Sequence, residues 1–245
     1  MNYLAHAYLS FSIPEIAVGN LISDFVKGKK KLEYPETIQK GISLHRAIDA
    51  FTDAHEITRQ AKVFFRPDYG LYSGALTDVV YDHFLANDPL EFPGEGATIG
   101  NSFDPGHGHL GHPYPDRNIG NTNGGQDNPT LPSGAGLAAF AERTYEQLAP
   151  FQPLFPEKFS RMFPYMRSQN WLYHYRYKEG IYNSFTGLSR RAAYMGSPQR
   201  ACELFETHYK ELEACYALFF PALKEFALAT LKQLMDPDEP LPGLV

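Results

Sequence analysis

Two side chains that could share a metal ion lie four residues apart in the first quarter of this 245-residue chain. They are His45 and Asp49, within the sequence GISLHRAIDAFTDAH at residues 41–55. At 3.6 residues per turn both side chains leave the same face of a helix, so one divalent cation could be reached by an imidazole nitrogen and a carboxylate oxygen. A lone pair of this kind is more often a surface or capping pair, so the metal hypothesis depends on the rest of the chain.

Four further imidazoles and carboxylates lie among apolar residues in the same part of the chain. These are His6, Asp24, Asp82 and His83. Burying all of these groups without a common partner would cost on the order of several kcal/mol, whereas a divalent metal supplies the missing counter-charge. A mixed nitrogen and oxygen ligand set suits Mn²⁺, Fe²⁺, Zn²⁺ or Mg²⁺. Any one of these residues could instead be a hydrogen-bonded core residue, so the prediction rests on the whole set.

The elements that must position these groups are predicted to be helices. Apolar residues recur with the helical period, and no stretch shows the period-2 alternation of a half-buried strand. We therefore expect an all-α fold. Ser12 is expected to cap the second helix, and the last helix is expected to bend at Pro221. The predicted helices cover about 2–11, 14–28, 36–55, 56–65, 71–87, 137–149, 156–167 and 198–235, with further helical sequence at 170–196.

The domain organisation is predicted to be one helical domain over 1–235, interrupted by an insertion. Residues 93–136 are rich in Gly, Pro, Asn and Asp and show neither period, which is typical of a flexible loop. This insertion contains HGHLGH, and a histidine cluster of this kind can bind metal. Helical patterning resumes after it in the same style, so the insertion is expected to interrupt one domain. Residues 236–245 are expected to form a tail.

Composition and charge exclude several classes of protein. A net charge of −6 argues against general nucleic-acid binding, which needs a broad basic surface. No apolar run approaches the roughly 20 residues of a membrane-spanning helix, and the N-terminus lacks the pattern of a secretory signal. Two cysteines, Cys202 and Cys215, favour reduced thiols and a cytoplasmic protein. Basic clusters at 27–31 and 190–191 could steer an acidic partner, although lysine runs are often only solvated loops.

Four segments resemble, in order and spacing, the acyl carrier protein phosphodiesterase family, an atypical branch of the HD-domain metal phosphohydrolases. They are MNYLAHAYLS, GNLISDFVKG, GISLHRAIDAFTD and DVVYDHFL. The later segments NWLYHYR and GLSRR are similar to the C-terminal half of the family. The resemblance covers roughly 1–92 and 137–225, and the insertion at 93–136 departs from the family pattern.

The resemblance implies an HD-like helical domain that hydrolyses 4'-phosphopantetheine from holo-acyl carrier protein and leaves the apo-protein. It also implies a divalent metal, with manganese the usual choice and Mg²⁺, Fe²⁺ or Zn²⁺ as alternatives. The residues that fall on the family's metal-binding motif positions are His6, Asp24, His45, Asp49, Asp82 and His83. Among these, Asp24 is the position we favour most strongly.

Further residues are expected to act on the phosphodiester or to bind the partner. Residues expected in catalysis are Asp24, His83 and Arg46, the last because guanidinium suits phosphate oxygens. Proton transfer could instead fall to Asp82. Residues expected to bind substrate are Lys29, Lys30, Arg176, Arg190, Trp171 and Tyr175. The two lysines would attract the small, acidic acyl carrier protein, and the aromatic residues would line its prosthetic arm.

Two other functions compete with this one. The first is an HD-type phosphohydrolase that acts on a nucleotide or another small phosphodiester. The second is a non-catalytic helical protein that binds acyl carrier protein, and bound metal would count against it.

Overall fold

The computed structural model describes residues 1–93, 136–192 and 195–235. Within these residues every regular element is an α-helix or a short 3₁₀ segment, so the prediction of an all-α fold is confirmed. The helices are α1 (Tyr3–Tyr8), α2 (Pro14–Ile22), α3 (Glu36–Ala54), α4 (Glu56–Val63), α5 (Arg66–Tyr69), α6 (Ser73–Ala86), α7 (Leu137–Leu148), α8 (Glu157–Ser168), α9 (Trp171–His174), α10 (Lys178–Arg191), α11 (Pro198–Thr207) and α12 (Tyr209–Leu234). The 3₁₀ segments are Ser23–Phe25, Gly28–Glu33, Gly70–Tyr72 and Ala149–Leu154.

A single hydrophobic core joins the two described halves of the chain. Helix α12 packs against α3, α4 and α6, and α10 packs against α6 and α11. Aromatic rings fill much of this core: Tyr81 stacks on Phe219, and Tyr8 contacts Phe220. Burial of these large rings removes much apolar area from water and holds the first helices, which carry the candidate site, against the C-terminal ones.

Two glycines let α2 and α3 approach closely. A Cβ atom on Gly19 would lie 2.1 Å from the carbonyl oxygen of Ile38, and one on Gly41 would lie 2.4 Å from the carbonyl oxygen of Ile16. Contacts this short are with backbone, which has no side chain to move aside, so only glycine fits. The close approach sets Asn20 of α2 beside His45 of α3.

The observed helices agree broadly with the predicted ones, with three main differences. The helix predicted over 14–28 ends at Ile22 and is followed by 3₁₀ segments. Ser12 adopts a left-handed conformation (φ 61°), and α2 begins after Ile13 with no side-chain cap, so the predicted capping role of Ser12 is wrong. The predicted long final helix is two helices, because the chain leaves helical geometry at His208. Helix α12 then runs through Pro221.

Some predictions lie outside the described residues. These are almost all of the insertion at 93–136, its histidines His107, His109 and His112, and the tail at 236–245. They stay predictions.

One described helix is long and apolar enough to cross a membrane, judged only by its length and composition. This helix is α12, with a mean hydropathy of 1.3 over its most apolar window. One such helix is weak evidence, because core helices pass the same test. Its buried side chains, including Leu212, Phe219 and Leu231, belong to the hydrophobic core.

Candidate metal centre

Three side chains from two helices form a compact cluster of metal-ligating atoms. His6 comes from α1, whereas His45 and Asp49 lie one turn apart on α3. The ligand atoms of all three lie within 4.8 Å of one another. Nε2 of His6 is 3.2 Å from Oδ1 of Asp49, and Nε2 of His45 is 3.0 Å from Oδ2. Both imidazoles are buried, and the Asp49 side chain is 39 % exposed, so the cluster opens to solvent on the carboxylate side.

Asn20 of α2 sets the orientation of both imidazoles. Its Nδ2 donates to the backbone carbonyl of His6 at 2.8 Å, which leaves Oδ1 to accept from Nδ1 of His6 at 2.7 Å. The backbone carbonyl of Asn20 accepts from Nδ1 of His45, also at 2.7 Å. Because Nδ1 carries the proton in each ring, each neutral ring presents the lone pair of Nε2 to the cluster.

This arrangement leaves an excess of acceptors that a cation would satisfy. When both rings are neutral, two Nε2 lone pairs and a carboxylate face one another, and the buried Nε2 of His6 meets no hydrogen-bond donor among the described residues. Buried polar atoms without partners are rare, and an ion is one of the explanations for them. Two imidazoles and one carboxylate are also a donor set that suits Mn²⁺, Fe²⁺ or Zn²⁺. The residues therefore fit a divalent metal.

The pKa values of the metal-free cluster show how strongly the groups interact. Burial and, to a smaller extent, the neighbouring His45 together lower the pKa of His6 to about 4. Burial also opposes the charge on His45, but hydrogen bonds to Asp24 and Asp49 raise its pKa to about 9. Burial raises the pKa of Asp49, but the hydrogen bond from His45 and the charge of the Met1 amino group outweigh this and hold that pKa well below its usual range. Without a metal, a proton on His45 therefore serves as the counter-charge.

Asp24 lies at the rim of the cluster. Its Oδ1 is 3.1 Å from Nε2 of His45, and the hydrogen bond from His45 lowers the pKa of its carboxyl. It belongs to the 3₁₀ segment after α2, and its side chain is 70 % exposed. The compact set of three ligand atoms does not include it. The position we favoured most strongly is thus a neighbour that can face substrate or solvent.

The predicted ligand Asp82 points to a different place. It is fully buried on α6, and its two oxygens accept hydrogen bonds from the backbone N–H groups of Leu4 and Ala5, at 2.7 and 3.1 Å. These N–H groups begin α1 and have no partner within that helix. Burial raises the pKa of Asp82 to about 7, against the effect of those two hydrogen bonds. The structure places Asp82 outside the cluster, where it holds α1, and thereby His6, against α6; its role as a metal ligand stays a prediction.

The structure also leaves His83 outside the cluster. Its Nδ1 donates to the backbone carbonyl of Tyr175 at 2.7 Å, and its Nε2 lies 3.0 Å from the hydroxyl of Tyr209. Phe84 and Phe205 pack edge-on against the ring. Because both ring nitrogens contact groups of the core, His83 connects α6 to Tyr175, directly after α9, and to Tyr209 of α12. The structure thus gives His83 packing contacts outside the cluster, and its roles as ligand and catalyst stay predictions.

The three predicted basic residues of the first half of the chain, Arg46, Lys29 and Lys30, belong to the same part of the molecule as Asp24. Arg46 donates to the backbone carbonyl of Val26 at 3.1 Å and remains exposed. Lys29 and Lys30 are exposed on the 3₁₀ segment Gly28–Glu33, a few residues after Asp24. This part of the chain is free of buried residues, so these charges face solvent.

The predicted substrate-binding residues of the second half separate into two groups. Trp171, Tyr175 and Arg190 all line one cavity between α1, α9 and α10. Arg176 does not line it: its guanidinium lies over the rings of Tyr173 and Tyr177 and donates to the hydroxyl of Tyr173.

Two residues of the site were missed by the sequence interpretation. The sequence analysis gives no role to Asn20, although an amide inside an apolar helix is a signal of a hydrogen-bonding role. It gives none to Asp78 either. The amino group of Met1 lies 3.3 Å from carboxylate oxygens of both Asp49 and Asp78, a contact between distant segments that no local pattern reveals.

The fold and the site together define a class: an all-α protein with two histidines and one carboxylate that could hold a metal ion. A family model described as "Acyl carrier protein phosphodiesterase" matches residues 1–98 and 130–223. The chain therefore belongs to the acyl carrier protein phosphodiesterase family. The match leaves 99–129 unaligned, within the stretch that departs from the family pattern.

Curated relatives agree with this assignment. The chain is similar to an acyl carrier protein phosphodiesterase of Yersinia pestis, at 28 % identity over 91 % of this chain and 95 % of the relative. It is likewise similar to one of Klebsiella pneumoniae, at 28 % identity over 96 % of this chain and all of the relative. One of Photorhabdus laumondii is 26 % identical over 93 % of this chain and 95 % of the relative. No solved structure gives a significant match.

Proposed function

We propose that this protein hydrolyses the phosphodiester that joins 4'-phosphopantetheine to a serine of holo-acyl carrier protein. The products are the apo-protein and free phosphopantetheine. The observation that carries the proposal is the His6, His45 and Asp49 cluster, because it lies inside the stretch matched to the phosphodiesterase family. Both halves of the chain are matched, so the assignment does not depend on one motif.

The metal would be held by Nε2 of His6, Nε2 of His45 and the carboxylate of Asp49. A divalent ion bound there supplies Lewis acidity, which polarises a phosphoryl oxygen and makes water a better nucleophile. We propose Mn²⁺, with Fe²⁺, Zn²⁺ and Mg²⁺ as alternatives, because the nitrogen and oxygen donors include no thiolate. The two imidazoles are buried and held through Asn20, so the ligands are positioned before the ion arrives.

The chain's own residues would position the diester and handle the proton. Asp24, exposed at the rim and ionised at neutral pH, can accept a proton from an attacking water. Arg46 and the arginines of α10 can bind non-bridging phosphate oxygens, since the planar guanidinium matches their geometry. Asp82 positions His6 through the start of α1 and touches no substrate.

The partner would dock on the basic 3₁₀ segment Gly28–Glu33 and the adjacent Lys27. Four lysines lie within five residues, close in sequence to Asp24; three of them are exposed and Lys31 is half-buried. An acidic carrier protein would be attracted to this surface, which steers association more than it strengthens the final complex. We also infer a cytoplasmic location, which the two free cysteines suit.

A substrate panel separates this function from its competitors. Purified protein with Mn²⁺ would be incubated in parallel with holo-acyl carrier protein and with nucleotides, and the products separated by chromatography. We expect free phosphopantetheine from the first and no turnover of the second. Turnover of a nucleotide alone would assign the cluster to a small-molecule phosphohydrolase, and binding of the carrier protein without any product would make the chain a non-catalytic binder.

A further inference from the structure

A cavity of about 830 Å³ is lined at one end by Asn2 and Tyr3, at the start of the helix that carries His6. Its walls come from the start of α1, from Val79 of α6, from α9 and from the whole length of α10. Val79 directly follows Asp78, whose carboxylate shares the Met1 amino group with Asp49. The N-terminal residues 1–3 and helix α6 therefore contribute both to the cavity wall and to the ion pairs around Asp49.

Tyr3 interacts electrostatically with Arg191, which lines the cavity, and with Asp24, at the rim of the metal cluster. Tyr3 lines the cavity, and burial raises the pKa of its phenol. The guanidinium of Arg191 lowers that pKa, and the carboxylate of Asp24 raises it, so both charges act on the same phenol. Arg191 and Arg190 also line the cavity. An anion at this end of the cavity would be attracted by the two guanidinium groups that line it.

The rest of the lining mixes polar and apolar side chains. Asn183 and Ser184 offer hydrogen-bonding groups along α10, and Val79, Trp171 and Leu188 offer apolar surface. A flexible ligand with amide groups, a hydroxyl and branched methyl groups would match such a wall better than a purely apolar chain would.

Gly187 keeps part of this cavity open. It lies inside α10 with ordinary helical geometry, and a Cβ atom there would meet no atom within 4 Å. Glycine within a helix costs roughly 0.5–1 kcal/mol relative to alanine. Neither backbone conformation nor packing requires it here, in contrast to Gly180 of the same helix, whose Cβ would lie 2.0 Å from the carbonyl oxygen of His174. Free space for a ligand explains a glycine at this position.

We propose that this cavity binds the pantetheine arm of the substrate, with the phosphate at the Tyr3 and Arg191 end and Gly187 clearing room for the chain. This inference rests on the proposed function for the identity of the ligand. Pantetheine has two amides, a hydroxyl, a geminal dimethyl group and a terminal thiol, which correspond to the mixed lining. Binding of the arm would orient the scissile phosphodiester toward the metal cluster and supply specificity that the metal alone lacks.

The chain offers a direct probe, because its single tryptophan, Trp171, lines the cavity. Free pantetheine would be titrated into metal-free protein while Trp171 fluorescence is followed. We expect a saturable change in the wild type and at least tenfold weaker binding in G187L, whose side chain would fill the cavity. The matched control is S189L on the same helix, at a position that does not line the cavity. We expect it to bind pantetheine like the wild type.

Hydrolysis of holo-acyl carrier protein by the same three proteins separates the inference from the proposed function. If pantetheine binds and G187L weakens it, but no variant hydrolyses the carrier protein, the cavity assignment stands and the proposed function falls. If the wild type and G187L hydrolyse the carrier protein equally, the cavity assignment is overturned and the function stands. Absence of any fluorescence change in the wild type, or an equal loss in S189L, would also overturn the cavity assignment.

Discussion

The imidazole rings of His6 and His45 stack on each other, with centroids 4.0 Å apart and planes 19° apart. The rings come from separate helices, and each uses Nδ1 to bind a group of Asn20. Stacking with this common anchor leaves both Nε2 atoms facing Asp49. A single asparagine thus positions two histidines from distant parts of the chain as neighbouring candidate ligands.

Asn20 should therefore control metal affinity without touching the metal. In N20A the Nδ1 of His6 loses its acceptor, so the ring can turn or change tautomer, and we expect Mn²⁺ to bind about 10–100-fold more weakly. The measurement is calorimetric titration of metal-free protein.

The matched control for N20A is N87A. Asn87 is half-buried, and its amide donates to the backbone carbonyls of His83 and Arg176, away from the cluster. We expect this variant to lose stability and keep its metal affinity. An equal loss of affinity in both variants would show that general destabilisation, and not ring orientation, is responsible.

The close approach of α2 and α3 should be necessary for the stability of the fold. In G19A the new methyl group would overlap the backbone of Ile38, so we expect a loss of about 3 kcal/mol in the free energy of unfolding. The measurement is urea denaturation. G74A is the control, because a Cβ on Gly74 would meet only the flexible end of Lys62 at 3.4 Å. Equal stability of G19A and G74A would contradict the packing described here.

Sequence reasoning was successful where local pattern decides the structure. The helix carrying His45 and Asp49 was predicted at 36–55 and observed at Glu36–Ala54, because its apolar spacing and its Pro-Glu start are local signals. Asp82 and His83, like His6, are ionisable residues among apolar neighbours in the sequence, but the structure places both outside the cluster. Their partners, the start of α1 and the carbonyl of Tyr175, are set by packing between distant segments. Spacing along one helix does not show which helix end lies opposite a buried carboxylate.

His83 predicts a dependence of stability on pH. Burial lowers its pKa from 6.5 to about 4, so the folded protein resists protonation more than the unfolded chain does. The associated stability is present above pH 6.5 and is lost as the pH falls toward 4, by up to about 3 kcal/mol. Denaturation of wild type and H83Q at pH 7 and pH 4 tests this. The wild type should lose more stability than H83Q over that interval, and parallel losses would contradict it.

The basic 3₁₀ segment should contribute to association with the carrier protein. We expect the double variant K29E/K30E to bind holo-acyl carrier protein about tenfold more weakly at low ionic strength, with a difference that shrinks as salt screens the charges. Surface plasmon resonance at two salt concentrations measures this. K210E/K232E on α12 makes the same change of net charge elsewhere. If both variants weaken binding equally, net charge and not this segment steers the partner.

The central claim is that the His6, His45 and Asp49 cluster cleaves the prosthetic group from the carrier protein. Its most direct test is the intact mass of holo-acyl carrier protein after incubation with wild type, D49N or D53N and Mn²⁺. Asp53 is the matched control, because it lies one turn further along α3 and pairs with Lys62. We predict complete loss of the phosphopantetheine mass with wild type and D53N, and an unchanged mass with D49N or with a chelator. Full cleavage by D49N, or an unchanged mass with the wild type, would contradict the account.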